Sequence, residues 1–137
     1  ENNFFQVIND SYNANPASML AALKNVYEIS KNEEKHNIVL LIGDMLELGQ
    51  NSRKLHLSLI PEIKKINPRH LITVGKASKE IFNKLKNKNQ CTAFANVKEL
   101  KVHFFDIIKP KDLILVKGSN SVGLFNFCKQ LNKPFHS

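Results

Sequence analysis

The stretch Ile38-Val39-Leu40-Leu41-Ile42 decides the fold class, because it is an unbroken run of five branched apolar residues. A strand with one face in solvent alternates apolar and polar residues, whereas an unbroken run is typical of a strand buried on both faces of a parallel sheet. Parallel strands need crossover connections, which are usually helices. The run therefore predicts an α/β fold in which strands and helices alternate along the chain.

The sequence on both sides of this run shows the expected alternation. Further apolar runs predict strands at 4–9, 71–74, 92–95 and 113–116. Apolar residues at a spacing of three or four predict helices at 16–30, 52–66, 77–86, 97–108 and 122–131. These units predict a Rossmann-like three-layer sandwich, with a mostly parallel sheet of five or six strands and helices on both faces.

Two local signals refine the helices. Asn15 is a good N-cap for the first helix, and Pro16 suits the first helical position, where its missing N–H costs nothing. Pro61 lies inside 52–66 and should bend or split that helix, because it removes a backbone donor and clashes with the preceding turn.

Length and composition predict one globular domain over residues 1–137, and the start of the chain almost inside its first strand suggests a domain excised from something longer. The formal net charge of +8 favours anionic partners. However, the lysines lie mostly at helix ends and in connections, without interleaved aromatic residues, so we expect no nucleic-acid partner. No apolar run approaches the roughly 20 residues that span a bilayer.

Cys91 and Cys128 are far apart in apolar contexts, which predicts buried free thiols in a reducing compartment. No CxxC or His/Cys cluster has metal-binding spacing, so we predict no metal site. His56 lies one turn into a predicted helix, where a surface or core-edge histidine is the more frequent explanation than a functional one.

Four loops follow predicted strands and should share one edge of the sheet, at 9–16, 43–49, 75–76 and 117–123. Residues 9–16, 43–49 and 117–123 are called the first, second and third loops below. Each of the four precedes a helix N-terminus, whose free N–H groups and partial positive charge suit phosphates and carboxylates. The sequence has no GxxxxGK[ST] loop, no GxGxxG after the first strand and no nucleophile elbow. The residues alone therefore predict a ligand-binding edge with half of an active site.

Three motifs in these loops carry a family resemblance. Asn9-Asp10-Ser11-Tyr12-Asn13-Ala14-Asn15-Pro16-Ala17-Ser18-Met19 resembles a DDSYNANPxSM signature. Residues 43–49 with Ser52 and His56 resemble GDMLELGxxSxxxH, and residues 115–123 are similar to LVKGSRSMG. These motifs are those of the C-terminal domain of the Mur ligase family.

The resemblance implies an ATP-dependent amide ligase of peptidoglycan synthesis in the bacterial cytoplasm. The type indicated adds D-Ala-D-Ala to UDP-MurNAc-tripeptide through an acyl phosphate. Such enzymes have three domains, and this chain resembles the third alone. The first domain holds the UDP-sugar, the central domain carries the P-loop and the Mg²⁺ ligands, and the third closes over ATP and brings the dipeptide. We therefore expect this chain to be inactive alone, to contain no catalytic residue and to be monomeric. The alternative is a stand-alone nucleotide- or phosphate-binding regulatory module.

The resemblance assigns the first loop to ATP. Asp10 would bind the ribose hydroxyls, and Tyr12, Asn13 and Asn15 would contact ribose, adenine or phosphate. Tyr12 is alternatively a packing residue at the start of the helix, and Asn15 is alternatively only its N-cap.

The resemblance assigns the second and third loops to the dipeptide. The assigned residues are Asp44 and Glu47 for the ammonium, and Lys117, a mobile positive charge, with Gly118, Ser119 and Asn120 for the carboxylate. Glu47 is alternatively a helix-start residue favoured by the helix dipole. Two positions depart from the family pattern, since Asn120 stands where arginine is usual and Asn126 stands near a frequent glutamate. The bidentate guanidinium clamp on a carboxylate is therefore lost at position 120.

Overall fold

The structure, a computed structural model, describes residues 5–32, 37–88, 90–119 and 122–131. The sheet has five parallel strands in the order β1-β5-β2-β3-β4. The strands are β1 Gln6–Asn9, β2 Asn37–Gly43, β3 His70–Val74, β4 Cys91–Phe94 and β5 Asp112–Lys117. The prediction of a mostly parallel sheet of five or six strands is confirmed.

In the described residues, six α-helices connect and follow the strands. They are α1 Pro16–Asn32, α2 Ser52–Leu57, α3 Ile60–Ile66, α4 Lys79–Leu85, α5 Val97–Ile107 and α6 Leu124–Leu131. The helix predicted at 52–66 is split into α2 and α3, and Pro61 lies in the first turn of α3. Proline fits there because the first N–H groups of a helix have no partner within it.

The core lies on both faces of the sheet, and β2 shows why its sequence is apolar without a break. Ile38, Leu40 and Ile42 join a cluster with side chains of α1, α3 and α4. Val39 and Leu41 join a second cluster with side chains of α5 and α6 on the opposite face. The three-layer arrangement predicted from this run is therefore confirmed.

The helix that follows β5 and the helices that follow its two neighbouring strands lie on different faces of the sheet. The helices that follow β1 and β2 pack on one face of the sheet, whereas α6, which follows β5, packs on the other. Ligands of open α/β sheets bind at such switch points, outside the carboxyl ends of the strands. The fold thus indicates the edge where the first, second and third loops begin as the expected place for a ligand.

At the amino-terminal ends of the strands, opposite the loops, a partly buried ion pair holds the sheet. Arg69 donates from Nε and Nη2 to the two carboxylate oxygens of Asp112, at 2.9 and 2.6 Å. Asp112 also accepts a bond from the backbone N–H of Lys109 at 2.7 Å, and its side chain has no exposed surface. These contacts fix the start of β5, far along the strand from the loops.

The two cysteines differ in burial. Cys128 on α6 is buried, as predicted, and burial raises the pKa of its thiol to about 12 although the Ser11 hydroxyl hydrogen-bonds to it. Cys91 is only partly buried, so that part of the prediction is wrong; β4 lies at the edge of the sheet and leaves it less covered. Both thiols are free. Among the described residues, no helix is both long and apolar enough to cross a membrane.

Candidate functional site

Hydrogen bonds join the loops at the carboxyl edge of the sheet into one continuous structure. We call residues 9–16, 43–49, 75–78 and 117–119 the rim. All five strands are parallel, so the loops that follow them emerge at the same edge, as predicted. The contacts between neighbouring loops, described next, decide which side chains remain available to a ligand.

The first loop follows β1, is anchored to β5, and presents several exposed side chains to solvent. The backbone N–H of Asp10 donates to the carbonyl of Val116 at 3.0 Å, which anchors the start of the loop. The side chain of Asp10 is 53% exposed, and Tyr12 is 59% exposed. The Tyr12 ring also meets the Phe125 ring edge to face, with centroids 5.4 Å apart. Tyr12 therefore packs against α6, not against the helix that it precedes, while much of its ring stays accessible, and its predicted contact with ATP stays a prediction.

Asn15 forms a reciprocal cap with Ser18. The Asn15 side-chain oxygen accepts a bond from the Ser18 N–H at 2.9 Å, and the Ser18 hydroxyl accepts one from the Asn15 N–H at 3.1 Å. This pairing satisfies N–H groups at the start of α1. The N-cap prediction is confirmed, and the predicted contact of Asn15 with ATP stays a prediction.

Lys117 connects the third loop to the first. It ends β5, is only 3% exposed, and donates from Nζ to the backbone carbonyl of Asn13 at 2.7 Å. Its Nζ also lies 3.4 Å from Oδ2 of Asp10. The expectation of a mobile positive charge is wrong, because the ammonium is buried between β5 and the first loop and is held there by two acceptors.

Asp44 connects the second loop to both of its neighbours. Its carboxylate accepts bonds from the backbone N–H groups of Ala77 and Ser78, at 3.2 and 2.7 Å, just before α4. Its carbonyl accepts a bond from the N–H of Ser119 at 2.9 Å. A carboxylate has about four acceptor positions, so these bonds leave room for an ammonium group. The predicted contact of Asp44 with an ammonium group therefore stays a prediction. Asp44 also has a structural role, because its hydrogen bonds join the second loop to both neighbours.

Glycines allow the loops to approach so closely. A Cβ on Gly118 would lie 2.9 Å from the Cα of Gly43. Gly75 has φ +117°, and a Cβ there would lie 2.5 Å from the carboxylate of Asp44. Both contacts are shorter than a Cβ tolerates, so these positions require glycine for packing within the rim. Contact of Gly118 with a dipeptide stays a prediction.

His56 is the residue that the sequence interpretation underestimated. It is fully buried, so the expectation of a surface or core-edge histidine is wrong. Its Nε2 lies 3.0 Å from the N–H of Met45, and its Nδ1 lies 2.7 Å from the carbonyl of Ser52. Because the Met45 N–H can only donate, Nε2 must be the unprotonated nitrogen, and Nδ1 donates to Ser52. The four-residue spacing of Ser52 and His56 on one helix was the signal for the second of these bonds.

Glu47 lies at the exposed tip of the second loop in an uncommon backbone conformation. Its φ is +61°, in the left-handed region that non-glycine residues seldom adopt. Such residues cluster at ligand-binding sites when the surrounding structure holds them. The predicted contact of Glu47 with an ammonium group stays a prediction. Asn120, also predicted as a site residue, lies outside the described residues.

A cleft of about 320 Å³ lies beside the second loop, next to Asp44.

Residues 1–120 match the family described as "Mur ligase, glutamate ligase domain". The chain belongs to the Mur ligase family. The resemblance read from the three motifs is therefore confirmed.

Several curated relatives of this Mur ligase chain share one name. This chain is 41% identical over 119 residues to the UDP-N-acetylmuramoyl-tripeptide–D-alanyl-D-alanine ligase of Rickettsia prowazekii. The match covers 87% of this chain and 26% of the relative. This chain is 36% identical over 137 residues to the protein of the same name from Buchnera aphidicola subsp. Baizongia pistaciae, covering 98% of this chain and 28% of the relative. The chain thus spans about a quarter of the length of these relatives.

Solved structures share the fold. A crystal structure of MurF from Acinetobacter baumannii has a TM-score of 0.72 at 23% identity, covering 93% of this chain and 28% of that one. The MurF ligase from Thermotoga maritima in complex with ADP has a TM-score of 0.66 at 17% identity, covering 97% of this chain and 30% of that one. At these identities the likeness establishes the α/β fold.

Proposed function

We propose that this chain is the ATP- and dipeptide-binding domain of a bacterial ligase that adds D-Ala-D-Ala to UDP-MurNAc-tripeptide in peptidoglycan synthesis. The observation that carries the proposal is the rim, in which the three motif loops lie side by side and are joined through Lys117 and Asp44. The relatives named as this ligase support the choice of reaction.

The first loop is the nucleotide side of the proposed site. The carboxylate of Asp10 is exposed and can accept bonds from both ribose hydroxyls. The accessible part of the Tyr12 ring can stack on the adenine, and the exposed Asn13 and Asn15 can donate to the nucleotide. The relative from Thermotoga maritima was solved with ADP, which agrees with use of a nucleotide in this family.

The second loop and the start of the third are the dipeptide side. Asp44 and Glu47 face the ammonium of the incoming D-Ala-D-Ala, and Gly118 and Ser119 lie along its backbone. Asn120, which is outside the described residues, is assigned to the same side from the sequence motif alone. Lys117 is assigned instead to the first loop, because its ammonium is already held by Asn13 and Asp10. These residues bind and orient the dipeptide, and none of them transfers a proton or a phosphoryl group.

The remaining chemistry is assigned to other domains of the longer enzyme. Among residues 5–32, 37–88, 90–119 and 122–131, no group of three or more His, Cys, Asp or Glu could hold a metal ion. The proposal assigns the Mg²⁺ ligands and the P-loop to the central domain, as the family resemblance implies. ATP phosphorylates the tripeptide carboxylate, the dipeptide amine attacks the acyl phosphate, and phosphate leaves as the amide forms.

Ligation by the full-length protein tests the proposal. UDP-MurNAc-tripeptide, ATP and D-Ala-D-Ala are incubated with the full-length protein, and the pentapeptide product and released phosphate are measured. We expect about one phosphate per amide formed, and no product from the 137-residue chain alone. The Escherichia coli relative named as this ligase is the positive control. ATP binding without ligation would favour the regulatory module, and ligation by the 137-residue chain alone would contradict the domain assignment.

A further inference from the structure

The cleft beside the second loop carries charges of both signs. It has a volume of about 320 Å³, at the lower end of the range for small-molecule sites. Its lining residues are Asp44, Ser52, Arg53, Lys76, Ala77 and Glu80. Two carboxylates and two cations around one small cleft suit a ligand that itself carries one positive and one negative group.

The sequence of the third loop contains a single cation, Lys117. The Lys117 ammonium is buried and bonded to the first loop. The backbone N–H of Ser119 donates to Asp44 within the rim. Asn120 has a neutral amide in place of a charge. The cation for a carboxylate bound next to Asp44 must therefore come from another element of the structure.

Arg53, at the start of α2, is placed to supply that cation. Its side chain is 62% exposed, and its Nε donates to Oε1 of Glu80 at 3.1 Å. Within the described part of the chain this is the one hydrogen bond that the Arg53 side chain makes, so its two Nη groups remain available as donors. A guanidinium can bind a carboxylate through two parallel bonds. The Glu80 contact orients the side chain. Because exposed ion pairs are weak, little energy is lost if this contact shifts when a ligand binds.

We infer that Arg53 binds the carboxylate of the incoming dipeptide while Asp44 faces its ammonium, with Lys76 as a second cation at the same cleft. The inference rests on the proposed function and names the subsite of its second substrate. An extended dipeptide spans about 7 Å, which allows its two charged ends to reach different walls of one cleft. Lys117 has no part in this subsite.

The test compares a dipeptide with its uncharged analogue in the full-length enzyme. Steady-state kinetics are measured with D-Ala-D-Ala and with its C-terminal amide, for the wild type, Arg53→Gln and Lys54→Gln. Lys54 is an exposed cation on the same helix but does not line the cleft. We expect Arg53→Gln to raise the KM for D-Ala-D-Ala about ten-fold or more and to leave the KM for ATP unchanged. Arg53→Gln should also lose the wild-type preference for the carboxylate over the amide, whereas Lys54→Gln should keep it.

Two further variants separate a direct contact from a structural effect. Arg53→Lys retains the charge without the guanidinium fork, so we expect part of the preference for the carboxylate to return. Lys117→Met should keep the full preference, whatever it does to ATP binding. The Arg53 assignment is overturned if Arg53→Gln keeps the preference or if Lys117→Met abolishes it. A wild-type enzyme that does not use D-Ala-D-Ala would instead overturn the proposed function, and this inference with it.

Discussion

Replacing His56 by leucine removes the acceptor that holds the second loop against α2. Leucine has a similar volume, so it fills the site, but it leaves the backbone N–H of Met45 without a partner in the core. The substitution also breaks the bond from Nδ1 to the Ser52 carbonyl. That loss matters less, because a carbonyl near the start of a helix also accepts a bond within the helix.

The expected cost is dominated by the unpaired donor. A buried donor left without an acceptor costs about 1–3 kcal/mol, and a swap of similar volume usually adds less than about 1.5 kcal/mol. We therefore expect His56→Leu to lower the free energy of unfolding by about 2 kcal/mol. With a urea m-value of about 1–3 kcal/mol/M, the midpoint should fall by roughly 1 M.

Urea unfolding of the 137-residue chain measures this change, and His103→Leu is its matched control. His103 is 56% exposed on α5, so its substitution should change the free energy of unfolding by less than about 0.5 kcal/mol. Hydrogen exchange at the Met45 amide supplies a local readout, and exchange there should accelerate in His56→Leu alone. An unchanged urea midpoint together with a protected Met45 amide would refute the role given to His56.

Two other predictions concern the ion pair between Arg69 and Asp112 and the buried thiol of Cys128. Arg69→Met should lower the free energy of unfolding by about 3–5 kcal/mol, because the charge of Asp112 is left buried without its partner. Urea unfolding measures this change, and a loss below about 1 kcal/mol would contradict the prediction. Since burial raises the pKa of Cys128 to about 12, its thiol should stay protonated at pH 8 and should not react with a thiol-specific disulfide reagent until the protein unfolds. Labelling of native Cys128 as fast as that of partly exposed Cys91 would contradict this reasoning.

The layers of the fold could be predicted because they depend on local pattern. The unbroken run from Ile38 to Ile42 requires apolar neighbours on both faces, and the structure supplies them from two different sets of helices. Pro61 could be placed correctly because its effect on a helix depends on its own ring and the adjacent turn. Neither inference needed knowledge of which distant residues would meet.

The contacts of the rim could not be predicted, because they join residues far apart in the chain. Lys117 reaches the carbonyl of Asn13, 104 positions away, and nothing near position 117 indicates where a long flexible side chain will point. Asp44 likewise meets the N–H of Ser78, 34 positions later. The motifs located the loops correctly, whereas the orientation of each side chain was set by tertiary packing.

The assignment of ATP to the first loop and the dipeptide to the second is the central claim, and the kinetics of Asp10→Ala in the full-length enzyme test it most directly. Bonds between a carboxylate and the ribose hydroxyls are charge-assisted, and losing about 1.4 kcal/mol or more corresponds to a ten-fold or greater change. We therefore predict that the KM for ATP rises at least about ten-fold while the KM for D-Ala-D-Ala stays within about two-fold. Unchanged ATP kinetics with a large rise in the KM for the dipeptide would contradict the account.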